Sequence, residues 1–117
     1  MSSDNLLELF TSEFVKLEKL VNEINPTNQL PANQIVEVYY QITNISSMIS
    51  VIKPQFDQNL DDSSCAKILN AEKFISEIFN LTIHPKIMKN IANSISNITR
   101  NLQSLNSEQK SKETIEN

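Results

Sequence analysis

The chain has 117 residues, no glycine, one cysteine, one histidine and a formal net charge of −4. That length suits one domain with a single core, and without glycine the chain lacks the residue on which tight hairpins, phosphate-binding loops and most helix C-caps depend. The modest acidic charge argues against a typical nucleic-acid-binding protein, and one cysteine cannot form a disulfide within the chain.

The first predicted helix covers residues 4–24. Its apolar residues recur every three or four positions, which places them on one side of a helix. Ser3 or Asp4 can cap its start, and Pro26 ends it, since proline disfavours helix in the residue before it. The apolar positions are Leu6, Phe10, Phe14, Leu17, Val21 and Ile24.

The second predicted helix covers residues 34–53, with Asn33 as its cap. Its main apolar seam has the three-and-four spacing of a coiled coil. We expect the helix to end before Pro54, because proline inside a helix removes a backbone hydrogen bond, and a connection to continue to about residue 62. The seam consists of Val38, Ile42, Ile45, Ile49 and Ile52.

The second helix also carries apolar residues away from this seam, and no charge lies between Glu37 and Lys53. A helix with two apolar sides is normally buried on both. Two arrangements stay open: the other three helices cover the second set within the monomer, or the set binds another protein or a second copy of the chain. This set, which forms our candidate partner-binding residues, is Val36, Tyr40, Met48 and Val51.

Two further helices are predicted, over residues 63–81 and 85–105. Asp62, Ser63 or Ser64 can cap the third helix, and Pro85 suits the first position of the fourth, where its missing N–H costs little. Polar residues dominate residues 106–117, which we predict to be a flexible C-terminal tail.

Four helices of similar length, each on the order of 30 Å, predict an all-α fold. We expect an antiparallel four-helix bundle, either complete in one chain or completed by dimerisation. Residues 1–105 would form its single domain.

Few residues are suited to catalytic or metal chemistry. Cys65 and His84 lie at opposite ends of the third predicted helix, and no further metal-type residue is spaced to join either of them. We therefore predict no enzyme activity, metal, cofactor or small-molecule substrate. No signal peptide is evident, and no run approaches the roughly 20 apolar residues that span a membrane, so we expect an intracellular protein, cytoplasmic with a nuclear location left open.

The favoured function is a non-enzymatic protein–protein interaction module, a small helical subunit or adaptor of a larger assembly that also self-associates. The alternative is a nucleic-acid-linked regulator, because residues 85–105 carry three cations and no acid. Arginine can pair with guanine and asparagine with adenine, although three cations neutralise few phosphates. The residues of this alternative are Lys86, Lys89, Asn93, Asn97 and Arg100.

Overall fold

The computed structural model describes the backbone of residues 3–24, 32–79 and 85–116, and the side chains of residues 6–24, 32–56, 58, 60–78 and 87–108. All regular secondary structure in these residues is α-helix, which confirms the predicted all-α fold. The helices are α1 (Ser3–Glu23), α2 (Ala32–Asn59), α3 (Asp62–Phe79) and α4 (Pro85–Glu116).

The four helices pack as a closed square in which every helix contacts two neighbours. The neighbours of α1 are α2 and α4, and α3 completes the square between the same two helices. The molecule is therefore elongated, with extents of 54 × 22 × 21 Å. In this arrangement α2 and α4 lie diagonally opposite each other, so their outer sides form opposite surfaces of the bundle.

Polar contacts indicate how neighbouring helices run. Thr11 of α1 contacts Asn106, whereas Phe14, further along α1, contacts Thr99, so the residue numbers run in opposite directions along α1 and α4. This is the order expected of antiparallel helices. The same reversal relates α2 to α3 through the pairs Lys53–Glu72 and Phe56–Cys65.

The core contains the apolar stripes predicted for the first two helices, all of whose members are buried. Within the core, the ring of Phe10 lies 5.3 Å from that of Phe14, at an interplanar angle of 71°, and 6.3 Å from that of Phe56. Edge-to-face aromatic pairs add about 0.5–1.5 kcal/mol beyond the burial of their area. This cluster therefore ties α1 to α2.

The predicted end of the second helix at residue 53 is wrong, because α2 continues through Pro54 to Asn59. Phe56 follows Ile52 by one helical turn, so continuing the helix buries its ring beside Phe10. Burying a phenylalanine contributes about 1.5–3 kcal/mol, which offsets much of the roughly 3 kcal/mol that a proline costs inside a helix. Pro54 itself is exposed.

The predicted connection from Pro54 to residue 62 is correspondingly too long, because only Leu60 and Asp61 separate α2 from α3. The residue that caps α3 is Asp61, whose Oδ1 accepts a hydrogen bond of 2.7 Å from the backbone N–H of Ser64. A side-chain oxygen in this position satisfies one of the orphan donors of the first turn. Asp61 directly precedes Asp62, Ser63 and Ser64, the caps proposed from the sequence, whereas Asn33, predicted to cap α2, lies inside that helix.

The fourth helix begins at Pro85 as predicted, but it extends to Glu116 rather than ending at residue 105. Asn106 Nδ2 donates a hydrogen bond of 2.7 Å to Thr11 Oγ1, and Lys67 Nζ lies 4.0 Å from Glu108 Oε1. These contacts hold the turn beyond residue 105 against α1 and α3. Residues 106–116 also lack proline and glycine, so nothing local ends the helix. The flexibility of residues 106–117 stays a prediction.

Replacing Thr11 with valine should lower the free energy of unfolding by about 1–2 kcal/mol. The change removes the buried hydroxyl that accepts the hydrogen bond from Asn106 and donates one of 2.7 Å to Leu7 O, so the half-buried amide loses its partner. Urea denaturation measures the effect. Thr43→Val is the matched control, since the Thr43 hydroxyl makes the same type of bond to Tyr39 O, 2.9 Å long, but is exposed. Equal losses in the two variants would contradict the contribution of the contact between α1 and α4.

Candidate protein-binding face on α2

The outer side of α2 carries three large apolar side chains in solvent. Val36 is 53% exposed, Tyr40 70% and Val51 68%. Val36 and Tyr40 are one turn apart, and Val51 follows Tyr40 by eleven residues, close to three turns of 3.6 residues, so all three lie on one side of the helix. Met48 is half-buried and packs against the core. The monomer therefore leaves Val36, Tyr40 and Val51 uncovered and covers Met48 in part.

Leu9 of α1 is 49% exposed and extends the apolar surface on one flank. Leu9 lies one turn before Glu13. The backbone carbonyl of Glu13 accepts a hydrogen bond of 2.9 Å from Gln41 Nε2 of α2. The same amide lies 3.4 Å from Glu13 Oε1. Residues four apart lie on one side of a helix, so Leu9 is on the side of α1 that faces α2.

Leu69 of α3 is 52% exposed and lies on the other flank. It falls between two residues that contact α2: Cys65, whose Sγ donates to Phe56 O at 3.4 Å, and Glu72, whose Oε2 is 3.0 Å from Lys53 Nζ. By the same helical spacing, Leu69 is on the side of α3 that faces α2.

These five residues form what we call the α2 face: Val36, Tyr40 and Val51 on α2, flanked by Leu9 and Leu69. Among the described residues, they are five of the six large hydrophobic side chains that are exposed. The sixth, Val15, lies between Thr11 and Glu18, both of which contact α4. Exposed hydrophobic residues are therefore concentrated on one side of the bundle.

A shallow cavity of about 290 Å³ lies at one end of this face. It is lined by Val36, Tyr39, Tyr40 and Thr43, none of which carries a charge. Its size is close to the lower limit of about 300 Å³ for small-molecule sites. The cavity makes the α2 face concave next to Tyr40.

The surface of α4 is of a different kind. Lys89, Asn93, Asn97 and Arg100 are all exposed, while the side chain of Lys86 lies outside the described residues. The Arg100 guanidinium, through Nη1, is 3.5 Å from Glu18 Oε2 of α1. A carboxylate at this distance partly neutralises one of the cations on which binding to nucleic acid would depend.

Cys65 and His84 were considered for metal or nucleophilic chemistry, and His84 lies outside the described residues. The thiol of Cys65 lies 3.4 Å from Phe56 O and 3.6 Å from Leu60 O, where α2 ends and α3 begins. Within the described part of the chain, no three His, Cys, Asp or Glu side chains are grouped to hold a metal ion. Judged over the same residues, the helices lack the continuous apolar length that crossing a bilayer requires.

Comparisons with models of protein families, with curated proteins and with solved structures find no match. The class of the protein is that of its fold, an all-α bundle of four helices. The candidate functional site is therefore chosen from the surface of the chain itself. The α2 face is that candidate, because its exposed side chains are hydrophobic, unlike those of an ordinary solvated surface.

Proposed function

We propose that this protein is a non-enzymatic protein–protein interaction module, a small helical subunit or adaptor that binds through the α2 face. The observation that carries the proposal is the concentration of exposed hydrophobic side chains on one side of the bundle. Exposed hydrophobic residues scattered singly need no explanation, whereas their concentration on one side of a molecule favours an interaction surface. Burying each such side chain would contribute about 1.5–3 kcal/mol if it were fully covered.

The charge distribution supports the same surface. Residues 38–52 of α2 carry no charged side chain, and the cores of protein interfaces are depleted in charge and enriched in tyrosine and methionine. Tyr40 combines the largest exposed fraction of the face, 70%, with a hydroxyl group that can bond water or a partner. It is therefore the residue we assign as the anchor.

The nucleic-acid alternative has less support. Lys89, Asn93 and Asn97 share the outer side of α4, but Arg100 lies beside Glu18, and the chain as a whole is acidic. Nucleic-acid affinity depends on the number of phosphates neutralised, and this surface offers few unopposed cations for that purpose. As part of the favoured proposal we place the module in the cytoplasm, where a single free cysteine stays reduced.

Photo-crosslinking in cells of the source organism tests the proposal. A photo-reactive benzoylphenylalanine replaces Tyr40 in one variant and Asn93, exposed on the opposite side of the bundle, in the control. We expect ultraviolet-dependent adducts at position 40 and several-fold fewer at position 93, because only the first position would be covered by a partner. Equal yields at the two positions, or none at position 40, would count against the α2 face as a binding surface.

A further inference from the structure

We propose that the α2 face binds a second copy of this chain, with the two α2 helices antiparallel across a two-fold axis. This inference rests on the proposed function and names the partner of the same face. Three properties of the face favour it: its size, the absence of charge from the middle of α2 and the order of large and small side chains along it.

The size of the face suits another bundle rather than a single helix. The 28 residues of α2 extend about 42 Å at 1.5 Å per residue, and the bundle is 22 Å wide. The projected area of this whole side is thus roughly 900 Å², which leaves room for the 800 Å² per partner that a specific interface typically buries. An isolated helix, about 10 Å in diameter, would cover less than half of that width and would leave Leu9 or Leu69 uncovered.

The charge pattern allows this face to meet its own copy. A two-fold interface brings one surface patch against itself, so like charges on the patch would oppose each other. The helix α1 has five acidic residues and two lysines, and α4 has five cationic and three acidic residues, whereas residues 38–52 of α2 have none. An antiparallel pairing centred on residues 38–52 of α2 therefore brings no like charges together at its middle, whereas α1 and α4 carry charges along their length.

The order of side chains along α2 is self-complementary in the antiparallel direction. With the two-fold axis between residues 45 and 46, Tyr40 faces Val51 of the partner subunit, and Val51 faces the partner's Tyr40. Thr43 and Ser47, which are small, lie near the axis and permit the two helices to approach closely. A parallel pairing would instead place tyrosine on tyrosine at one level and valine on valine at another, and it would align the two helix dipoles.

Disulfide trapping tests this register directly. Tyr40→Cys and Val51→Cys are prepared as separate proteins in a Cys65→Ser background, which keeps a hydrogen-bond donor at position 65. The two proteins are oxidised alone and as a mixture, and non-reducing electrophoresis measures the linked dimer. Because both substituted side chains are exposed, the helix content measured by circular dichroism should stay unchanged.

We expect the mixed disulfide between the two variants to exceed either homodimeric disulfide at least tenfold. In the antiparallel register, two copies of the same position are eleven residues apart along the helices, about 16 Å at 1.5 Å per residue. That separation is far beyond the roughly 7 Å between Cα atoms that a disulfide can bridge. A mixture of Asn93→Cys and Asn97→Cys proteins, exposed on α4, is the control and should give only background linking.

Each other outcome overturns the inference in a distinguishable way. Homodimeric disulfides from each variant alone would show a parallel dimer and reject the antiparallel register. Absence of linking, with a monomer in light scattering at high concentration, would reject the second copy as the partner. If the protein is monomeric, the photo-crosslinking experiment decides the proposed function. Adducts between position 40 and a different protein would support a partner-binding face, whereas the absence of adducts at position 40 would contradict both proposals.

Discussion

Replacing Phe10 with alanine should lower the free energy of unfolding by about 3–5 kcal/mol. Its ring is fully buried and contacts the rings of Phe14 and Phe56, so truncation leaves a cavity where α1 meets α2. Stability of a domain this size is about 5–15 kcal/mol, and the variant would therefore lose a large fraction of it. Chemical denaturation followed by circular dichroism measures the change.

Val15→Ala is the control for the Phe10 substitution. Val15 lies on the same helix and next to Phe14, but it is exposed, and surface substitutions usually change stability by no more than about 0.5 kcal/mol. If the two variants lost similar stability, the aromatic cluster would not make the contribution to stability assigned to it here.

Replacing Pro54 with alanine should raise the free energy of unfolding by about 1–3 kcal/mol. Pro54 lies inside α2 with helix on both sides, where proline lacks the N–H that would bond to the carbonyl four residues earlier and costs about 3 kcal/mol. Part of the gain is offset by about 0.4–1 kcal/mol, because alanine gives the unfolded chain more freedom than proline. Thermal and urea denaturation would both show the increase.

Gln55→Ala separates the proline effect from the general preference of helices for alanine. Gln55 is the next residue and is also exposed in α2, and substitution by alanine changes helix propensity by only a few tenths of a kcal/mol. A Pro54→Ala variant less stable than Gln55→Ala would contradict the cost assigned to proline at this position.

Helix ends depended on both local chemistry and long-range contacts. Pro85 fixed the start of α4 by local chemistry, and the sequence located it correctly. By contrast, α2 passes Pro54 because Phe56 reaches Phe10, a residue 46 positions earlier in the sequence. Similarly, Asn106 is held by Thr11 at the other end of the chain. A rule based on neighbouring residues cannot predict contacts between residues that are so far apart in the sequence.

The candidate site was predicted in part. The uncharged second apolar set of α2 identified Val36, Tyr40 and Val51, all of which are exposed. Leu9 and Leu69 were missed, because each lies outside the main apolar stripe of its helix. Only the contacts of Glu13 with Gln41, and of Cys65 and Glu72 with α2, reveal that both flank the same face.

The sequence by itself determined that this protein is all-α and which side of α1 and α2 is buried, because apolar spacing of three and four residues permits one buried stripe per helix. Only the tertiary structure decided that Val36, Tyr40 and Val51 of the second apolar set are uncovered, whereas Met48 packs against the core. The physical reason is the number of neighbours: in a closed square each helix packs against two others, which cover its inner side and leave its outer side in solvent. The spacing of apolar residues predicts on which side of a helix each side chain lies, but it does not predict how many neighbouring helices cover that side.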